Sequence, residues 1–512
     1  MTIFVRDWVE HHAVTTPNNL ALIDLASGRK FTYAQMHERV AQTAGFLKAR
    51  GIKRGDRVAF LTLNTTDVME LVFGCFRIGA ICLALNFRLT PPELAFILND
   101  AKGSLVLVDT PFAALAEATK PLTQVIHWVT TDGLGGSSDF ETELANATPV
   151  YEMIEQDIED QCLLMYSSGT TGRPKGVIIT HAMLDFTNSA AARMGHASPD
   201  NNALSNMPVF HIAGLNVTSL PTIWAGGTCI MMRVFDPDAT LQAINNDELG
   251  INIVFMVPAA YNALKAHPDV EKIDFSRLEV ALCGAETVPA PLVKWWLDKN
   301  VIIQEGYGMT ETSAAGCLLA KDDIPHKIGS AGKCLIHSQI QITNENGQAC
   351  APNETGEIWF KGAVVTPGYW RNPEANAEAF VNGWFRSGDI GRKDEDGFIY
   401  IEDRLKDMYI SGGENVYPAE IEGLLYELPN IVEVSVIGVS DTRWGETGCV
   451  IAVFKDGQTM TLEAILAHLS GRLAKYKQPS YLHIVDALPR GGTGKVLKFE
   501  LRNSVPDVLN LT

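Results

Sequence analysis

Cysteine is scarce in this sequence and never paired: nine thiols (Cys75, Cys82, Cys162, Cys229, Cys283, Cys317, Cys334, Cys350 and Cys449) are scattered through 512 residues without one C-x-x-C. That pattern argues against a disulfide frame or a zinc site and fits reduced thiols in a cytosolic protein. Basic charge is also in short supply. With 41 Lys+Arg against 60 Asp+Glu, the net charge is −19, which speaks against nucleic acid or an anionic membrane as partner. The longest apolar run, 68–85, is broken by Glu70 and Arg77, so it reads as a buried helix and strand, and no integral membrane segment is expected. No basic-then-apolar leader is seen, because the first ten residues hold Arg6, Asp7 and Glu10. Long repeats, low-complexity stretches and a Gly-x-Ser-x-Gly elbow are missing, and the last of these leaves a serine hydrolase unsupported. The reading so far is a cytoplasmic globular chain.

What is present is enough apolar residue, 46%, for large cores, and a length that suggests about three domain-sized units. The first 150 residues alternate helical and extended patterns: an amphipathic stretch at 33–50, a short strand at 58–63, a helix capped by Thr90 before Pro91-Pro92-Glu93, a strand at 104–108. Buried strands at 204–207, 227–232, 251–257 and 280–283 continue the rhythm. Such alternation implies parallel sheets covered by helices. Short β segments with Asn-Gly and Asp-Gly turns fill 333–400 and read as a small antiparallel barrel or sheet. After the charged connector Glu402-Asp-Arg-Leu-Lys-Asp407, helical spacing returns at Ile421, Leu424, Leu425 and Leu428, and at Leu462, Ile465, Leu466, Leu469 and Leu473. Charge divides along the same line: residues 404–512 carry −2 and residues 1–403 carry −17. A near-neutral lobe with basic residues on an acidic body suggests a lid that closes over an anionic ligand.

The chemistry centres on Tyr166-Ser-Ser-Gly-Thr-Thr-Gly-Arg-Pro-Lys-Gly176, a turn between two strands with three glycines, four Ser/Thr hydroxyls and one lysine. Glycines let amides face an anion, hydroxyls add donors and Lys175 adds charge, so the loop is suited to phosphate. It is not a Walker A loop, because Lys175 precedes Gly176 and a strand pattern follows. Together with Gly306-Tyr-Gly-Met-Thr-Glu311, Gly383-Trp-Phe-Arg-Ser-Gly-Asp389, Asp403-Arg-Leu-Lys406 and Gly491-Gly-Thr-Gly-Lys495, it resembles the adenylate-forming family of acyl-CoA synthetases, luciferases and peptide-synthetase adenylation domains. All five segments stand in that family's order, and the resemblance covers essentially the whole chain.

The resemblance implies an α/β fold: a large N-terminal domain of two doubly wound αβα layers plus a small β-barrel (1–402, barrel at about 333–400), a hinge at 403–407 and a small mobile α+β C-terminal lid at 408–512. It implies ATP, Mg²⁺ and coenzyme A as cofactors, a small carboxylic acid as partner, and a monomer or homodimer. Ser167, Ser168, Gly169, Thr170, Thr171, Gly172 and Lys175 would cradle the β- and γ-phosphates. Glu311 would bind Mg²⁺, with Thr170 beside it, and Thr310 would bond the α-phosphate. Gly284, Ala285, Glu286, Gly306, Tyr307 and Gly308 would form the adenine slot, small residues admitting a base on which the tyrosine stacks. Asp389 would take the ribose hydroxyls and Arg404 would support the ribose and phosphate. Lys495 would bridge carboxylate and α-phosphate as the adenylation lysine, Lys406 would be the swivel, and Gly412 and Gly413 would line a pantetheine tunnel.

For the acid, Met207-Pro-Val-Phe-His-Ile-Ala-Gly-Leu215 is informative. Amino-acid-activating relatives place an aspartate after the phenylalanine to pair an ammonium; here His211 stands there and resembles the gate histidine of CoA ligases. Ala213 and Gly214, with Ala314 and Ala315 after the Thr-Glu pair, leave room for an apolar tail. The chain looks most like bacterial ferulate-type and medium- to long-chain fatty-acid enzymes. Ala213 replaces the tyrosine, and Glu305 the glutamine, of plant coumarate ligases. Two other classes stay open: a luciferase-like oxygenase, which would share every ATP residue, and a non-catalytic adenylate binder, disfavoured because Lys175, Glu311 and Lys495 are all present.

Overall fold

A computed structural model describes residues 4–167, 174–286, 288–404, 407–411, 414–441, 445–470, 472–490 and 496–508, the side chains of 403–404, 414–415 and 506–508 excepted. Among the described residues the strands form four sheets. The first runs His127–Thr131, Gly103–Asp109, Arg57–Leu61, Ile81–Ala84, Gln161–Ser167, Lys175–Thr180. It is parallel except for its last pair, an antiparallel hairpin. The second runs Lys333–Cys334, Cys317–Leu318, Ile303–Tyr307, Val280–Gly284, Ile253–Met256, Asn202–Ser205, Thr228–Met231, Leu20–Asp24, Lys30–Thr32, parallel from Ile303–Tyr307 through Leu20–Asp24. The fold is thus α/β with two doubly wound layers.

The sheets share a core. Val58, Phe60 and Leu163 from the first and Leu22 and Met231 from the second pack into one cluster with Phe46, Val72 and Met183 from helices between them. Those helices begin and end where local chemistry dictates. Tyr33–Ala49 starts at a capping box, Gln35 N–H donating to Thr32 Oγ1 (3.3 Å) and Thr32 N–H to Gln35 Oε1 (2.9 Å). Thr66–Ile78 is capped by Thr65 and stopped by Gly79 at φ +69°. All of that helix is buried, so its charges must be paired. Asp67 meets Arg29 at 2.8 Å, Glu70 meets Arg39 at 2.8 Å and Arg77 meets Asp7 at 2.7 Å. Among the described residues no helix is long and apolar enough to cross a membrane.

The third sheet is antiparallel and comprises Ser338–Thr343, Gly356–Gly362, Phe380–Val381, Trp384–Lys393 and Ile399–Arg404. Lys333–Cys334 lies outside it, because it pairs with Cys317–Leu318 in the large sheet. The small lobe has its own sheet (Glu414–Val416, Tyr409–Ser411, Gly445–Phe454, Ile431–Asp441, Tyr481–Ile484) and the helices Pro418–Leu425, Leu462–Leu469 and Lys498–Val508. Ile421, Leu425, Ile465 and Leu469, the residues read at helical spacing, bury together against Val434 and Val450. Arg472 and Lys477 pair with Glu427 and Glu420 at 2.7 Å each, as solvated helix-end charges do.

Candidate active site

The hairpin Gln161–Ser167 and Lys175–Thr180 places Ser167 directly opposite Lys175. Ser168, Gly169, Thr170, Thr171 and Gly172 lie outside the described residues, so the loop is known by its two shoulders. Those shoulders are held hard. Tyr166 Oη donates to Asp100 at 2.5 Å, and Trp370 donates its backbone N–H to Gly176 O (2.7 Å) and its indole N–H to Asp100 O (3.1 Å). A Cβ at Gly176 would stand 3.0 Å from Tyr166 and 3.2 Å from Trp370. This clamp explains the glycine without any ligand.

Glu311 enters from the short turn Thr310–Thr312, which follows the strand Ile303–Tyr307. Ser313 and Ala314 are left-handed there, at φ +54° and +67°. The carboxylate is 8% exposed. Its Oε1 accepts from Tyr369 Oη at 3.1 Å and Ser167 Oγ at 3.4 Å, and its backbone oxygen accepts from Thr366 N–H at 2.7 Å. Burial pushes its pKa up, opposed by its own backbone N–H and by the Tyr369 and Ser167 hydroxyls. Lys175 Nζ lies 5.2 Å from the centre of the Tyr369 ring. Ser167, Lys175, Glu311 and Tyr369 therefore converge at one place. A buried carboxylate with only neutral donors suits a hard cation. No group of three or more metal-ligating side chains occurs among the described residues, so phosphate oxygens and water would complete a Mg²⁺ shell.

Gly284 and Gly306 are partners at the carboxyl ends of adjacent parallel strands, where α/β sheets bind ligands. A Cβ on Gly284 would lie 2.4 Å from Gly306 O, and one on Gly308 would lie 2.3 Å from Ala314 O. Main-chain packing demands both glycines whatever the slot holds. Ala285 sits at φ +70° between Gly284 and Glu286. Tyr307 donates its hydroxyl to Asp389 Oδ2 at 2.6 Å and is backed by Phe360 at 5.7 Å. Asp389 also donates its N–H to Ser387 Oγ (3.0 Å), and its strand partner is Arg404, whose side chain lies outside the description. The two residues assigned to base and ribose are thus one hydrogen-bonded unit.

His211 sits after the strand Asn202–Ser205, whose two neighbours continue the chain in opposite directions across the sheet. That is a topological switch point, the place where α/β sheets bind ligands. Asn64 fixes the exit: its Nδ2 donates to Met207 O (2.9 Å) and Met232 O (3.1 Å), and its Oδ1 accepts from Val209 N–H (3.0 Å). His211 Nδ1 accepts from Ala213 N–H at 3.3 Å. The chain then winds through a π-helical stretch, Gly214–Ser219, a form frequent at functional sites. A Cβ on Gly214 would fall 2.1 Å from Pro208 O. Asn216 Nδ2 donates to Ser313 O (2.9 Å) and Oγ (2.8 Å), tying this stretch to the turn that carries Ala314 and Ala315. So the stretch of Ala213 and Gly214 is joined to the turn of Ala314 and Ala315. Sequence reading missed Tyr369, Asn64 and Asn216; only the aromatic pair in Pro367-Gly-Tyr-Trp370 hinted at the first.

Lys495, Lys406, Gly412 and Gly413 lie outside the described residues. The loop that carries Lys495 is closed at its base, where Arg490 bridges Val496 and Leu497 N–H donates to Pro489 O at 2.8 Å.

Two family models match: the AMP-binding enzyme over residues 9–370 and the AMP-binding enzyme C-terminal domain over residues 420–495. The chain is 40% identical over 495 residues to a feruloyl-CoA synthase of Amycolatopsis sp, covering 97% of this chain and 98% of that protein. It is 35% identical to the long-chain-fatty-acid–CoA ligase FadD13 of Mycobacterium tuberculosis, covering 96% and 97%. The O-succinylbenzoate coenzyme A synthetase of Bacillus subtilis, solved with ATP and magnesium ion, superposes with a TM-score of 0.86 at 30% identity over 99% and 100% of the two chains. The same enzyme with its acyl-adenylate intermediate gives 0.87 over 98% of each.

Proposed function

This chain belongs to the AMP-binding enzyme family, and from that premise we propose that it joins an apolar-tailed carboxylic acid to coenzyme A in two steps. The acid attacks the α-phosphorus of ATP and pyrophosphate leaves; the CoA thiol then attacks the acyl-adenylate and AMP leaves. The observation that carries the reading is the convergence of Ser167, Lys175, Glu311 and Tyr369, beside the hydrogen-bonded Tyr307–Asp389 pair. Positioning and charge neutralisation are what adenylation needs. The hairpin shoulders hold the leaving phosphates, Glu311 holds Mg²⁺, and Mg²⁺ when bound offsets charge on the triphosphate. Tyr307 and Asp389 hold base and ribose. On this reading Thr170 sits by the metal, Thr310 and Arg404 bind phosphate and ribose, Lys495 stabilises the charge that develops at phosphorus, Lys406 is the swivel, and Gly412 and Gly413 border the thiol's path.

Support for an apolar tail comes from two relatives, named for ferulate and for long-chain fatty acids, and from the small side chains Ala213, Ala314 and Ala315 in the two joined stretches. The residue after Phe210 is His211 and not an aspartate, so a substrate ammonium would gain no carboxylate from that position, which disfavours an amino acid. Nine free cysteines and the need for ATP and CoA fit the cytoplasm, for a monomer or homodimer.

The test is pyrophosphate release from Mg-ATP over acetate, octanoate, palmitate, ferulate, cinnamate and phenylalanine, with and without CoA. Octanoate, palmitate or ferulate should give release, CoA should convert the product to thioester and AMP, and Lys495→Ala should fail in the first step. Preference for acetate or phenylalanine would overturn the substrate reading.

A further inference from the structure

Side chains alternate across a strand, and Ile303–Tyr307 uses its two faces differently. On one, Tyr307 reaches Asp389 at 2.6 Å. The other carries Gln304 and Gly306: His196 Nε2 donates to Gln304 Oε1 at 3.2 Å, and a Cβ on Gly306 would lie 3.4 Å from Leu318 Cδ1, the residue directly opposite it on the next strand. Leu318 also lines a groove of about 250 Å³ between the end of the helix His181–Arg193 and the strands Cys317–Leu318 and Lys333–Cys334. The lining is mostly apolar, with Ala190 and Met194 from the helix end, Leu318, and Leu335 and Ile336 past the last strand. Arg193 and Lys333 on its lining are exposed and Ile336 is 44% exposed, so the groove is open to water. Exposed apolar grooves mark ligand sites. This one is smaller than the roughly 300–1,000 Å³ of a complete small-molecule site, which suits one end of a ligand whose other end lies at Gly306.

We infer that this groove takes the distal part of an unbranched acyl chain, which runs from the reacting carboxylate past Gly306 and over Leu318 and leaves the Tyr307 face of the strand to the nucleotide. The substrate class is then a medium- to long-chain fatty acid. Because the groove is open, it sets no sharp upper length, and a ring acid would leave most of it wet. The inference deepens the adenylate-forming reading of the same site and rests on it.

The experiment measures kcat/KM for hexanoate, decanoate, myristate and ferulate at saturating Mg-ATP and CoA, in wild type, Met194→Trp and Ile336→Asp. Wild type should gain about fourfold per methylene over the carbons that enter the groove, and myristate should exceed ferulate. Met194→Trp narrows the groove and Ile336→Asp puts a charge in it; both residues are part-exposed, so the core is spared. Each variant should lower myristate about tenfold or more while hexanoate stays within about twofold, with the KM for ATP unmoved. If Met194→Trp fails to fold, Ile336→Asp decides alone. The groove is overturned if myristate gains nothing over hexanoate, if ferulate outruns myristate, or if the folded variants leave myristate untouched or lower both fatty acids alike. Failure of the wild-type enzyme to release pyrophosphate with any acid would instead sink the adenylate-forming reading itself.

Discussion

Tyr369→Phe isolates a single hydrogen. The ring stays under Lys175, 5.2 Å away, while Glu311 Oε1 loses its donor at 3.1 Å and keeps only Ser167 at 3.4 Å. A hydrogen bond to a charged acceptor contributes about 1.5–3 kcal/mol, and the 3.1 Å length with a second donor nearby argues for the lower end. That corresponds to roughly a tenfold weaker hold on the carboxylate form. The sign on pH follows directly. Burial already raises the Glu311 pKa and the Tyr369 bond lowers it, so deleting the bond raises it further, and the carboxyl stays protonated to a higher pH. The assay is pyrophosphate release against Mg²⁺ concentration at several pH values. The half-saturating Mg²⁺ should rise on the acidic side of the profile, by up to about tenfold, the acidic limb should move upward, and the defect should fade as pH increases. A variant with the wild-type Mg²⁺ requirement and an unmoved acidic limb would refute the assignment of Tyr369 to Glu311's charge.

Gly214→Ala drives a Cβ to 2.1 Å from Pro208 O; it should cost about 1–3 kcal/mol, lower the melting temperature and abolish most adenylation, and unchanged values for both would contradict the packing described. Asp7→Ala strands Arg77, which is 0% exposed, and should cost about 3–5 kcal/mol in urea unfolding; a loss within error of zero would show Arg77 satisfied by its other partners. His196, 6% exposed, is held neutral by burial with its pKa lowered to about 4. Its contribution is complete above the ordinary value of 6.5 and lost as pH falls toward 4, about 2 kcal/mol between pH 7 and 5. Glu70 and Glu305, pushed up to about 7 and about 8 by burial, work in the opposite sense. The comparison is therefore wild type against His196→Gln, whose unfolding free energy should fall less over that range; parallel curves would exclude the effect.

Legibility followed the range of the interactions. The capping box at Thr90, with its N–H on Glu93 Oε2 at 2.7 Å, and the hairpin around 168–173 are written within a few residues. Residues 204–207, read as a strand, give way to Asn202–Ser205, because Pro208 has no N–H to offer a ladder and the chain must leave the sheet to reach His211. Nothing local reveals that Tyr369 reaches back 58 residues to Glu311, or that Asn64 clamps carbonyls 143 and 168 residues ahead. Those contacts are set by how the two sheets stack. The helix Lys498–Val508 was also unread; Leu501 and Val505 bury against Ile437 and Ile451 from distant strands.

The strand Leu20–Asp24 pairs with Thr228–Met231, Leu22 opposite Cys229, and so sits in the sheet built mainly by residues 202–334. During synthesis it must wait without its partner while some two hundred residues are added, roughly ten to forty seconds at ordinary elongation rates. In that interval the six-stranded sheet can close by itself, but the nine-stranded one cannot. Severing the chain between them would leave the first piece its six-stranded sheet but strand Leu20–Asp24 from the other, so the nine-stranded sheet needs both pieces and the beginning of the chain is among the last parts to find its place.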